Sequence, residues 1–144
     1  IILYNAFLIT INERKKEYLL RYQKAKAEVS RIDTELQELE RITAIKPISY
    51  DGMPHSSGGV KDLAAFAVKA DQLRHKLIKA RYQQIKVFKE IHDHINAIDD
   101  DKQKDVLIYY YIKGMSWEEI AVKIGYTYRH TIRIHGYALA ALKI

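Results

Sequence analysis

Residues 106–144 read VLIYYYIKGMSWEEIAVKIGYTYRHTIRIHGYALAALKI and contain the signals for a short helix, a tight turn and a second helix. Ser116 stands three residues before Glu119, the spacing of a capping box, in which each side chain accepts a free backbone N–H of the other residue. Gly125 can end the short helix in a left-handed conformation without steric cost. The predicted buried face of this helix consists of Ile120, Ala121 and Ile124.

The second helix is predicted to begin after Thr127, a suitable N-cap, and its charge is strongly biased. Residues 126–144 contain no acid, and their basic and histidine side chains are Arg129, His130, Arg133, His135 and Lys143. A helix that only faces water normally mixes charges of both signs. Arg129 and Arg133 share one face because they are four residues apart. The opposite, buried face is predicted to hold Thr131, Ile134, Ala138 and Leu139.

A short helix, a glycine turn and a basic helix together indicate a helix-turn-helix unit, which lays its second helix in the major groove of DNA. Arginine side chains suit guanine edges and phosphates. We therefore predict that Arg129 and Arg133 contact bases or phosphates, and that Thr127, Tyr128 and His130 position the helix on the DNA backbone. The alternative is a packed pair of C-terminal helices whose basic face arose by chance.

The whole chain has the composition of a folded protein with a modest excess of positive charge. Its 144 residues are 48% hydrophobic and 29% charged, with a formal net charge of +6. This excess is compatible with a polyanion as partner. The sequence has no cysteine, which excludes disulfides and thiolate metal sites and is compatible with a cytoplasmic location.

Two long heptad patterns precede the helix-turn-helix region. In residues 12–44, apolar side chains recur three and four residues apart, at Tyr18, Tyr22, Ala25, Val29, Ile32, Leu36 and Leu39. From about Lys61 to about Ile98 a second pattern contains Leu63, Phe66, Ala70, Leu73, Leu77, Ala80, Val87, Ile91 and Ile98. A helix of this length cannot bury its seam against itself, so each pattern needs a partner helix.

Residues 46–60, KPISYDGMPHSSGGV, separate the two patterns, and their two prolines and three glycines predict a loop. The two long helices would then form an antiparallel coiled-coil hairpin, residues 1–99, followed by a helix-turn-helix unit, residues 100–144. The alternative is that the seams pair with another chain in a dimer. In both cases the predicted fold class is all-α.

The opening segment IILYNAFLITI, residues 1–11, is apolar but too short to span a bilayer, which needs ~20 residues. It also lacks the basic flank and the small-residue cleavage site of a signal peptide. We therefore expect no membrane partner. The segment is expected to be a packed apolar lead-in or to be extraneous to the fold.

The side chains that could support catalysis or bind a metal lack the necessary arrangement. His92 and His94 are two residues apart on a predicted helix, so they point to different sides and do not form a metal pair. One predicted loop holds Asp51, His55, Ser56 and Ser57. Catalytic triads, however, are assembled from rigid and distant segments. We predict no catalytic residue, no metal and no cofactor, and a protein that is not an enzyme.

Several phrases of the sequence resemble known DNA-binding regulators. Residues 105–142 resemble the region-four helix-turn-helix of bacterial housekeeping sigma factors. The chain is more closely similar to small phage-encoded late-transcription activators of the ArpU and RinA kind, through GMSWEEIA, YRH…RIHG…AL, and DGMPHSSG before KDL. This likeness extends into the long helices on both sides of the loop. Nothing in the chain resembles the promoter-melting part of a complete sigma factor.

The resemblance implies a regulator of phage or prophage genes that acts near promoters and could contact RNA polymerase. Ile132 stands where relatives commonly have a polar residue, and it could contact a thymine methyl group. Thr131 stands where relatives usually have an aliphatic residue. Matched by position, the DNA-facing start of the recognition helix would hold Thr127, Tyr128, Arg129, His130 and Arg133.

We therefore expect a cytoplasmic, all-α transcription regulator that binds double-stranded DNA. A homodimer is preferred, because one helix-turn-helix unit contacts few base pairs; the long helices could instead present a face to RNA polymerase. The rival hypothesis is a coiled-coil adaptor that binds proteins and not DNA. The adaptor hypothesis explains the heptads and the tyrosines, but it does not explain the acid-free final helix.

Overall fold

The computed structural model describes residues 1–44 and 58–144, and within these ranges the chain is helical and contains no strand. A π-helical turn, Ile108–Ile112, directly continues the third helix. The α-helices are α1 (Ile2–Ala44), α2 (Gly58–Asn96), α3 (Asp101–Leu107), α4 (Trp117–Ile124) and α5 (Tyr128–Ala141). The prediction of an all-α fold is confirmed.

One of two compact units consists of Lys26–Gln83. In this unit α1 and α2 pack through part of the predicted seam, whose buried residues are Ile32, Leu36, Ala70, Leu73 and Leu77. The predicted seam residues Leu63 and Phe66 are exposed instead. Two ion pairs join the helices, Glu40 with Arg74 at 2.9 Å and Asp33 with Arg81 at 3.9 Å. The later residue of α1 pairs with the earlier residue of α2, so the helices are antiparallel here, as predicted.

The other compact unit contains Ile1–Ala25 and Gln84–Ile144, and in it the short C-terminal helices share a core with the long ones. Leu19 is completely buried, whereas the predicted seam residues Tyr18 and Tyr22 are only half-buried. The physical reason is that α1 packs against α5 as well as α2, so it buries a wider face than one seam. This core consists of Leu19, Val87, Ile91, Ile95, Ile98, Leu107, Tyr111, Ala138, Leu139 and Leu142.

The predicted loop, residues 46–60, ends earlier than expected, because α2 already begins at Gly58. Glycine inside a helix costs only up to ~1 kcal/mol relative to alanine, so an established helix can extend through it. Residues 45–57 lie outside the described residues. The same is true of the four residues considered for catalysis, Asp51, His55, Ser56 and Ser57.

The first turns of α1 are exposed, so the packed apolar lead-in, one of the two alternatives for residues 1–11, is wrong. The exposed fractions range from 62% to 100% for Ile1, Ile2, Leu3, Tyr4, Phe7 and Ile9. In this unit Arg21 pairs with Glu90 at 3.1 Å, and the Tyr18 ring contacts the His94 ring. In that antiparallel register, α2 ends at Asn96 before it reaches the first turns of α1. None of the described helices is long and apolar enough to cross a membrane.

Candidate nucleic-acid interface

The three consecutive tyrosines lie in the π-helical turn, Ile108–Ile112, and each has a different environment. Tyr111 is buried, while Tyr109 and Tyr110 are half-buried. The ring of Tyr110 stacks on that of Trp117, with 4.0 Å between the centroids and 10° between the planes. Trp117 is therefore a packing residue of this unit.

Side chains of α1 satisfy free carbonyl groups at the ends of two C-terminal helices. The Gln23 amide donates to the carbonyl oxygens of Tyr111 at 2.8 Å and Ile112 at 3.2 Å. The Lys15 ammonium donates to the carbonyl oxygen of Leu139 at 2.7 Å, near the end of α5. Helix ends leave carbonyls without partners inside the helix, so these bonds hold the π-helical turn and α5 against α1.

The capping box at the start of α4 is present as predicted. The Ser116 N–H donates to Glu119 Oε2 at 2.9 Å, and the Glu119 N–H donates to Ser116 Oγ at 3.2 Å. Gly125 ends the helix in the left-handed region, with φ of 76° and ψ of 29°. The N–H groups of Gly125 and Tyr126 both donate to the Ala121 carbonyl at 3.0 Å. These contacts form the tight turn between α4 and α5.

Helix α5 begins where the sequence predicts, and its predicted inner face is buried. The His130 N–H donates to Thr127 Oγ1 at 3.2 Å, which confirms Thr127 as the N-cap. Thr131 is completely buried, and its hydroxyl donates to the Thr127 carbonyl at 2.9 Å, so a polar residue is tolerated at this position. The remaining predicted residues of the inner face are also buried: Ile134, Ala138 and Leu139.

Arg129 and Arg133 lie on the exposed line of α5, opposite its buried face. Gly136 and Ala140 continue that line at the spacing of successive helical turns, and both are exposed. None of the ion pairs among the described side chains involves either arginine. Both guanidinium groups are therefore accessible to an external ligand.

The other predicted site residues on α5 lie on its two flanks. Tyr128 is 49% exposed at the first turn. His130 is exposed, and its ring meets the Tyr126 ring edge-on at 4.8 Å. Ile132 is 36% exposed and does not lie on the same side of α5 as the two arginines. It borders a cleft of about 280 Å³. The cleft is lined by Lys16, Leu20, Tyr110, Tyr111, Trp117, Ile132 and His135.

His135 does not belong to the positive surface that was predicted for α5. Its side chain is on the buried face, only 8% exposed, and its Nε2 lies 2.9 Å from the Tyr111 hydroxyl. Burial, with a smaller contribution from the positive charge of Lys16, lowers the pKa of His135 to about 4. Burial also raises the pKa of the Tyr111 hydroxyl. His135 is therefore neutral at pH 7.

Three lysines that sequence reasoning missed lie over tyrosine rings of this unit. The Lys102 ammonium is 5.7 Å from the centroid of the Tyr126 ring. The ammonium groups of Lys113 and Lys123 are 5.3 Å and 5.1 Å from the centroid of the Tyr109 ring. Only Lys113 could have been found from spacing, since it follows Tyr109 by four residues. The other two contacts join residues far apart in the sequence, Lys102 with Tyr126 and Lys123 with Tyr109, and depend on the packing of the unit.

Gly136→Ala is expected to stabilise the protein by about 0.5–1 kcal/mol. A Cβ at this exposed helical position would have no atom within 4 Å among the described residues. Alanine restricts the unfolded chain and favours the helix. Urea unfolding of the two proteins measures the change. A destabilised variant would contradict the open surroundings, and a stabilised variant that binds DNA more weakly would indicate a phosphate close to Gly136.

The described residues contain no group of three His, Asp or Glu side chains that could hold a metal ion. His92 and His94 have different partners. The His92 ring stacks on Phe88 and its Nδ1 lies 3.0 Å from the Asn96 amide, whereas the His94 ring meets Tyr18. The two imidazoles therefore face different neighbours, as their spacing predicts.

Comparison of the chain with protein-family models, with curated proteins and with solved structures finds no match. The resemblance to phage late-transcription activators therefore stays a prediction based on the phrases quoted above.

Proposed function

We propose that this protein is a DNA-binding transcription regulator whose helix α5 enters the major groove of double-stranded DNA. The observation that supports this proposal most strongly is the exposure of Arg129 and Arg133 on one side of α5. The opposite side of the helix is buried in the core. A guanidinium group can bind the O6 and N7 atoms of guanine with two hydrogen bonds, or it can bind a phosphate. A rigid helix with two such groups, one turn apart, suits this task.

The neighbouring side chains support the same orientation. Gly136 and Ala140 lie on the same exposed side of α5 as the two arginines, and both are small residues. Their small size lets the second half of α5 come close to the side of a DNA groove. Tyr128 offers an exposed hydroxyl at the first turn, and His130 lies on the other flank. We assign these two residues, with the N-cap Thr127, to contacts that position the helix on the backbone. Ile132 is assigned to the edge of the interface, where it could meet a thymine methyl group.

The proposal includes assembly on two half-sites. A single recognition helix contacts few base pairs, and dimeric helix-turn-helix proteins read half-sites about 34–36 Å apart. We therefore propose a homodimer as the DNA-binding form. The resemblance noted above supports phage or prophage promoters as targets, and RNA polymerase as a further partner. Light scattering with and without a two-half-site duplex would measure the assembly state.

Affinity for duplex DNA is expected to fall steeply with salt. Each neutralised phosphate releases condensed counterions, so the slope of log affinity against log salt is about −0.9 per phosphate contact. Fluorescence anisotropy with labelled duplexes of random sequence, between about 50 and 200 mM salt, measures this slope. A flat profile, or no binding at low salt, would contradict the proposed function. The coiled-coil adaptor, as the rival function, predicts that second result.

A further inference from the structure

Two lysines share one tyrosine ring on the surface beside α4. The Nζ atoms of Lys113 and Lys123 lie 5.3 Å and 5.1 Å from the centroid of the Tyr109 ring. The ring is well supported, because half-buried Tyr109 packs against a small core of Val106, Ile120 and Ile134. The two ammonium groups thus lie close to the same aromatic ring, although they come from different parts of the chain.

This arrangement brings two like charges together without a carboxylate partner. Both Nζ atoms are about 5 Å from one centroid, so they are at most about 10 Å apart. That separation is close to the Debye length at physiological salt, ~8 Å, so the two charges still repel each other. Attraction to the face of the ring holds each cation in place against this repulsion. None of the ion pairs in the described part of the chain includes either lysine.

We propose that Lys113 and Lys123, held on the ring of Tyr109, bind phosphates of the DNA backbone beside the groove that α5 enters. This inference rests on the proposed function. When the second helix of a helix-turn-helix lies in the major groove, the first helix crosses the backbone. Lys123 belongs to that first helix, α4, and Lys113 lies just before its N-cap, Ser116. Each strand carries one negative charge per ~3.4 Å of helix axis, so one strand can supply a phosphate to each ammonium.

The chemistry of the pair indicates a positioning role and not base reading. Lysine ammonium groups act on phosphates as point charges and lack the planar fork that selects guanine. Contacts to the backbone fix the register of a protein on DNA and contribute affinity without sequence preference. A duplex is favoured over an acidic protein, because Lys113 and Lys123 belong to the same compact unit as Arg129 and Arg133. One extended polyanion can therefore contact both pairs of cations.

The test compares two double variants of the full chain that remove the same charge. Lys113→Gln/Lys123→Gln keeps most of each aliphatic stem over Tyr109 but removes both charges. Its salt slope is expected to be lower by about 1.8, since each lost phosphate contact removes about 0.9. The ratio of affinities for selected and random duplexes is expected to be unchanged. The control is Lys104→Gln/Lys143→Gln, in which Lys104 already has Asp101 as a partner at 3.7 Å. Its slope is expected to change by less than half as much.

The outcomes separate this inference from the proposed function. If the unaltered protein binds DNA with a steep slope and Lys113→Gln/Lys123→Gln leaves that slope unchanged, the phosphate contact is disproved while the function stands. An acidic protein would then become the partner to test. If the salt slope changes equally in the two double variants, the effect arises from net charge alone, and this result also overturns the inference. If the unaltered protein binds no DNA at any salt concentration, both proposals fail.

Discussion

Arg133→Ala is expected to raise the Kd for a duplex selected from random sequence by about 5- to 150-fold, or 1–3 kcal/mol. Arg133 lies on the exposed line of α5 and forms no ion pair within the described residues. Its removal should therefore leave the folding stability almost unchanged, and the loss should fall on DNA binding alone. Anisotropy titrations at fixed salt, with a urea unfolding curve for each protein, measure both quantities.

Two further variants distinguish base reading from phosphate binding. Arg133→Lys keeps the positive charge but loses the two-pronged hydrogen bonding, so it should recover little affinity if Arg133 binds a guanine. Lys143→Ala removes one exposed charge outside α5 and serves as the control for net charge. If Arg133→Ala weakens binding equally for all sequences, Arg133 is a phosphate contact. If Arg133→Ala binds as tightly as the unaltered protein, α5 does not present this arginine to DNA.

Lowering the pH from 7 to 4 is expected to destabilise the unit that contains α5 by up to about 3 kcal/mol through His135 alone. The pKa of His135 is about 4 in the folded protein, against 6.5 for an ordinary histidine, mainly because the side chain is buried. Above pH 6.5 the group is neutral in both states. As the pH falls from there, the unfolded chain binds a proton that the folded protein excludes, so stability decreases. Below about 4 both states are protonated and the loss is complete.

His135→Gln is the variant that isolates this contribution. Glutamine keeps a hydrogen-bonding group near the Tyr111 hydroxyl but does not titrate, so the variant should lose less stability between pH 6.5 and 4 than the unaltered protein. Urea unfolding at several pH values, followed by the fluorescence of the single tryptophan, Trp117, measures the difference. The comparison cancels the titration of carboxylates and of the other histidines, which both proteins share. Parallel stability profiles would show that His135 accepts a proton in the folded protein.

Local signals were sufficient to locate the helix-turn-helix. The reciprocal bonds of Ser116 and Glu119, the left-handed Gly125 and the N-cap Thr127 all appear where spacing predicts them. Each of these features depends on residues within one or two turns of the same segment. The inner face of α5 was also predictable, because helical periodicity alone determines which side chains share a side.

Packing between helices decided the features that periodicity missed. Leu19 is buried because α1 meets α5 as well as α2, and the first turns of α1 are exposed because α2 ends at Asn96. Lys123 reaches the ring of Tyr109 only after α4 has packed near the π-helical turn. The low pKa of His135 was not predictable for the same reason, since it depends on burial between helices and not on the neighbours of His135 in sequence.

The amino-acid order was thus enough to define α4, α5, their caps and the two outward arginines, since hydrogen bonds and side-chain periodicity within a helix involve only near neighbours. Tertiary structure decided which charges reach the surface and which residues from distant segments meet there. That difference arises because desolvation and ring–cation contacts depend on distances between helices. In this protein, folding removes His135 from the positive surface of α5 and brings Lys113 and Lys123 together over Tyr109.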